Sequence, residues 1–176
     1  MISRLPISST TVTYLEDHNA TIASLRDALT EHSFTHFACH AQQNVKQALE
    51  SAFLMHDGKL SLAILSQTSL PNADFAMLLA CESARGAVNV SNEFIHLAAG
   101  LLVVGFRSVI GTMWSIIDSD GPDVARVVYE YLFRAGMDVK PDSSEAALAL
   151  HRAVLYLRDE KKVPPSRWLP FVHFGV

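Results

Sequence analysis

Apolar and polar positions follow two regimes along the chain. Four short runs are apolar or β-prone almost throughout: Phe34–His40, Phe75–Cys81, Ser108–Ser115 and Phe171–Val176. Short apolar runs of this kind predict strands buried on both faces. Between them the apolar residues recur at helical spacing. Ile22, Leu25, Ala28 and Leu29 make one face of a helix predicted from about Ala20 to Glu31, with Asn19 as its cap. A second helix is predicted behind a Ser91 cap. It ends near Val104 with Gly105 as the stop, and because it is apolar nearly all round it is expected to be buried. A third starts after Asp120, which suits the cap position, carries Pro122 and Asp123 in its first turn, and ends at Gly136. A fourth opens on Asp142-x-x-Glu145, a capping-box pattern, and continues with the stripe Ala147, Leu150, Val154, Leu157. Phe53–His56 and Lys59–Leu62 flank Asp57-Gly58, the signature of a tight hairpin.

Apolar strands alternating with helices predict an α/β fold: a mostly parallel central sheet, helices on both faces, and an inserted β-hairpin. The 176 residues contain no repeat, low-complexity tract or linker, so a single domain over residues 1–176 is expected. In such sheets ligands bind beyond the carboxyl ends of the strands.

Composition narrows the function classes. Half of the chain is apolar (49%) and 18% is charged, which argues against disorder. The net charge is −4 and Lys and Arg are scattered, so neither a nucleic acid nor an anionic membrane surface is an expected partner. Two cysteines, Cys39 and Cys81, do not make a disulfide framework. With no signal-type apolar stretch at the amino terminus, they point to a reducing, cytoplasmic setting. Cys39, His40 and Cys81 do not supply a tetrahedral zinc set, and no phosphate-cradling glycine loop occurs, so no metal or cofactor is expected.

His40 and Cys81 each close a predicted strand, with Cys81 placed 41 residues after His40. On neighbouring parallel strands both side chains would emerge at one sheet edge, a candidate base and nucleophile. A free thiol is mostly protonated at neutral pH, so the chemistry needs an imidazole or a helix N-terminus beside it. The backbone N–H groups of Ala41 and Cys81 are candidate oxyanion donors. The bland reading of a cysteine at a strand end is a small buried hydrophobe. Cys39 keeps that reading, and His36 is read as a core or surface residue.

Several ordered motifs bear on the choice. His36-Phe37-Ala38-Cys39-His40 resembles the strand of CHAT domains that ends in the catalytic His. Leu78-Leu79-Ala80-Cys81-Glu82-Ser83-Ala84-Arg85-Gly86 resembles their catalytic Cys segment. Glu93 to Gly100, Gly105 to Trp114, Ala149-Leu150-His151 and Trp168 to Gly175 are similar to the elements that follow, and the wording is closest to fungal members, often found behind tetratricopeptide repeats. The resemblance covers about residue 20 to the C-terminus. It implies a caspase-like three-layer sandwich and peptide-bond hydrolysis in a partner protein through a Cys81–His40 dyad. It also implies a tetratricopeptide-repeat or sensor region upstream, and a further strand and helix that residues 1–19 do not supply. Related peptidases hold a basic P1 side chain with an acidic residue near the segment that follows Trp114; Asp118, Asp120 and Glu93 are the candidates here, Asp118 before Asp120. Two positions depart from the family: Ala41 stands where Gly is usual, which would be strained if positive φ were required there, and Asn92-Glu93 replaces a frequent Asp-Glu. Three functions are carried forward: a cysteine endopeptidase, an inactive CHAT-fold module that binds partners, and another thiol-based hydrolase or acyltransferase.

Overall fold

Strands that are apolar on both sides need cover on both sides, and the helices supply it. The computed structural model describes residues 11–42, 44, 46–79 and 93–176, with only the backbone of residues 93–96. In chain order the elements are α1 (Ile22–Glu31), β1 (Phe34–Phe37), β2 (Ala41–Gln42), β3 (Ala52–Met55), β4 (Gly58–Ser61), α2 (Leu62–Ser66), β5 (Phe75–Leu78), α3 (Glu93–Val104), β6 (Ser108–Thr112), α4 (Asp120–Leu132), α5 (Ala146–Leu155), α6 (Pro165–Trp168) and β7 (Phe171–Gly175). A π-helical turn, Tyr156–Glu160, prolongs α5.

The main sheet has the order β1-β5-β6-β7. β1, β5 and β6 run parallel, and β7 closes the edge antiparallel to β6. Strand alternation then sorts the side chains into two cores. Phe37, Ala76, Leu78 and Val109 face one core with Leu25 and Leu29 of α1, Leu62 and Leu65 of α2, and Leu97 and Leu101 of α3. Phe75, Met77, Ile110 and Phe171 face the other with Val124 and Val128 of α4 and Ala149 and Ala153 of α5. The architecture is therefore the expected three-layer α/β sandwich. A second sheet, β2-β3-β4, carries the inserted hairpin and packs on the first core through Phe53 and Leu60. Phe53 stacks on Phe37 with ring centroids 4.2 Å apart.

Several local expectations are corrected. The hairpin loop is His56-Asp57, one residue earlier than Asp57-Gly58, because Met55 pairs with Gly58. Asp57 is drawn off to accept the Ile22 N–H at 2.8 Å, and Gly58 opens β4 at a φ of +152°. Helix α1 starts at Ile22 behind Thr21, not behind Asn19. The Thr21 hydroxyl accepts the Ser24 N–H, and the Ser24 hydroxyl accepts the Thr21 N–H, so the capping box is closed by Ser24. At Asp142 the capping box does not form: its carboxylate accepts the Ser144 N–H at 2.9 Å, while Glu145 turns away to pair with Arg134 at 2.6 Å. Helix α3 is not buried all round; Leu97, Ala98 and Leu101 are buried, but Val103 is 78% exposed. Its expected cap, Ser91, lies outside the described residues.

Candidate functional site at the carboxyl edge of the sheet

The three parallel strands end on one edge, and His40, Asp118 and Asp120 lie in the segments that leave it. β1 ends at Phe37, earlier than the run to His40 predicted, because the Leu79 N–H closes its last ladder bond on Phe37 at 3.0 Å and the chain then crosses to the second sheet. His40 sits in that crossover. It is exposed, and its carbonyl accepts the Leu54 N–H of β3 at 2.8 Å. This bond fixes the backbone that carries the imidazole.

The same bond makes Ala41 and Phe53 a non-hydrogen-bonded pair, which turns the Ala41 N–H away from β3. Among the described residues the non-glycine positions with positive φ are Asp17 and Lys162. Ala41 is ordinary strand, and alanine is unstrained there. Cys39 packs against the first core, and burial pushes its thiol up to about 11. It is protonated at neutral pH. His36 faces the opposite core with its ring centroid 5.8 Å from that of Tyr129. Burial lowers its pKa to about 4, and both ring nitrogens are buried without a hydrogen-bond partner. It is a neutral core histidine.

β1 and β5 are paired in register, Phe37 opposite Leu78. His40 follows Phe37 by three residues, and Cys81 follows Leu78 by three in the sequence. Cys81 itself, with the rest of its segment from Ala80 to Asn92, lies outside the described residues.

Asp118 and Asp120 leave the same edge, between β6 and α4. Asp118 is exposed in the turn before the helix. Asp120 is the first residue of α4 rather than its cap, a position held by Ser119 without a side-chain bond. Its carboxylate is 2% exposed and takes both prongs of Arg167, from Nε at 2.9 Å and from Nη2 at 2.5 Å. This carboxylate raises the pKa of the Arg167 guanidinium above its ordinary value. The sequence reading missed Arg167. It lies 47 residues from its partner, and the only signal was an arginine just before Trp168-Leu169-Pro170. Glu93 opens α3, where only its backbone is described.

Two concavities lie elsewhere. One of about 780 Å³ runs between α4 and α5, lined by Arg126, Tyr131, Arg152 and Tyr156 among others. Another, about 450 Å³, is at the amino edge beside Asp74 and Arg107. Among the described residues no group of three or more His, Cys, Asp or Glu is arranged to hold a metal ion, and no helix is long and apolar enough to cross a membrane.

Comparison with curated proteins finds no match. A model of one protein family, the CHAT domain, matches residues 3–176. That match spans nearly the whole length, and the chain accordingly belongs to the CHAT domain family, a caspase-like fold family related to cysteine peptidases.

Proposed function

We propose that the chain is a caspase-like cysteine endopeptidase that cleaves a partner protein with Cys81 as nucleophile and His40 as base. The observation that supports the reading is the parallel register of β1 on β5: His40 and Cys81 each follow the last paired residues, Phe37 and Leu78, by three positions in the sequence. His40 takes the thiol proton, and the Cys81 thiolate attacks the scissile carbonyl carbon. The carbonyl oxygen becomes an oxyanion held by the N–H groups of Ala41 and Cys81. Its collapse breaks the C–N bond, His40 returns the proton to the departing amine, and a thioester remains. Water, deprotonated by His40, releases the acid and restores the thiol. The orientation of the Ala41 N–H away from β3 supports its place in this scheme.

A carboxylate beside the β6–α4 turn would select a basic P1 side chain, with Asp118, Asp120 and Glu93 as the residues to test. A cytoplasmic setting suits the scheme, since it depends on a reduced thiol.

The test is the alkylation rate of each thiol against pH, read by peptide mass spectrometry, with His40→Ala as the comparison. Cys81 is expected to react well below pH 8 (an ordinary thiol titrates at about 8.5), faster than Cys39, with the difference abolished in His40→Ala. A Cys81 that titrates as a free thiol regardless of His40 refutes the dyad and leaves the fold as a partner-binding module.

A further inference from the structure

Asp120 is nearly closed to solvent and is paired with Arg167. The two side chains meet as a fork on a fork, the bidentate geometry by which a carboxylate recognises an arginine. The partners differ in freedom. Asp120 is built into the first turn of α4, with Gly121 and Val124 buried beside it. Arg167 comes from the four-residue α6, its side chain is 28% exposed, and it can withdraw into water through its own rotors. The carboxylate it pairs with stays fixed by the helix, both oxygens placed for a planar guanidinium. Ile117, three residues before Asp120, and Leu169, two after Arg167, are 51% and 48% exposed and would offer apolar footing to a bound chain.

We propose that Arg167 is a built-in competitor: it occupies a cradle, centred on Asp120, that receives the arginine side chain of a bound peptide. This rests on the reading that an acidic residue at this edge selects a basic side chain, and it adds that the chain's own arginine masks the selector. The exchange replaces one guanidinium by another, so the buried carboxylate is never left unpaired, the state that makes such pairs costly to break. A lysine cannot reproduce both prongs, so the ligand is arginine in preference to lysine. A tethered competitor acts at an effective concentration on the order of millimolar. Weak free ligands therefore lose to it.

The experiment is calorimetric titration of the full chain with N-acetylarginine N-methylamide, with the lysine analogue as comparison. Wild type is expected to show no binding. Arg167→Ala should bind the arginine probe at least about tenfold more tightly than the lysine probe, and Arg167→Ala with Asp120→Asn should bind neither. A folded Arg167→Ala protein, checked by circular dichroism, that takes up no arginine probe overturns the proposal and leaves the pair as a strut between α4 and α6. Should Arg167→Ala not fold, Arg167→Lys replaces it, with a point-like ammonium in place of the planar fork: arginine-probe binding then supports the proposal and its absence overturns it. None of these readouts uses Cys81 or His40. Failure here with a reactive Cys81 leaves the peptidase reading standing, and an inert Cys81 with a guanidinium-binding Arg167→Ala leaves the cradle standing.

Discussion

His36 makes the stability of this domain sensitive to mild acid, and the size of the effect follows from its surroundings. Its two ring nitrogens are buried between β1 and α4 without partners, and the folded state holds it neutral down to about pH 4. In the unfolded chain it protonates near the ordinary value of 6.5. Below that pH the unfolded chain therefore binds the extra proton. The destabilisation this causes is absent above about pH 6.5, grows as pH falls, and reaches its full size once the folded imidazole also protonates near pH 4. The shift is worth about 3 kcal/mol in total, a slope approaching about 1.4 kcal/mol per pH unit. His36→Phe removes the titrating group and the two unsatisfied nitrogens, and keeps an aromatic ring against Tyr129. Urea unfolding of both proteins between about pH 7.5 and 4.5 measures the difference. The variant should match or exceed wild type by about 1–2 kcal/mol at neutral pH, and the gap should widen steadily below pH 6.5. His173, whose pKa half-burial also lowers, is common to both proteins and cancels. Parallel pH dependences in the two proteins would sink the argument, because His36 would then titrate in the folded state as it does in the unfolded chain.

The other predictions are local. Cys39, raised to about 11 by burial, should be alkylated at pH 8 about a hundredfold more slowly than an ordinary thiol, whether or not His40 is present; an equal rate in a denatured control and the native protein contradicts its burial. Gly175→Ala should cost about 1–3 kcal/mol in thermal or urea unfolding, since Gly175 sits at a φ of +105° and an added Cβ would meet the Arg107 carbonyl. An unchanged midpoint would mean that the end of β7 can move off β6.

The layered fold was legible because the signals that specify it are local and repetitive. Phe75-Ala76-Met77-Leu78 reads as a doubly buried strand from composition alone, and it is one. The boundaries were less legible wherever two residues of similar chemistry compete for one role. Asn19 and Thr21 can both cap a helix; Thr21 prevails because Ser24 answers it and Asp57 reaches across from the hairpin to the next N–H. That same reach displaced the turn that Asp57-Gly58 advertised. Arg167 was illegible for a different reason. Its meaning depends wholly on a carboxylate brought to it by the tertiary fold, and nothing in Pro164-Pro165-Ser166-Arg167-Trp168 announces that partner. His40 was expected to end its strand, but the strand stops at Phe37 and His40 lies in the crossover to the second sheet, a boundary set by tertiary pairing that the apolar run does not show.

β5 has a consequence for how the molecule comes apart. Its four side chains are divided between the two apolar cores, Phe75 and Met77 to one and Ala76 and Leu78 to the other, and all four are fully shielded from water. Neither helical layer can peel away without exposing a strand that the other layer still holds. The two halves thus share one cooperative unit, and their melting should coincide. Amide protons of β5 should be among the last to exchange, on the timescale of global unfolding, while those of β7, at the sheet's edge, exchange through local fraying.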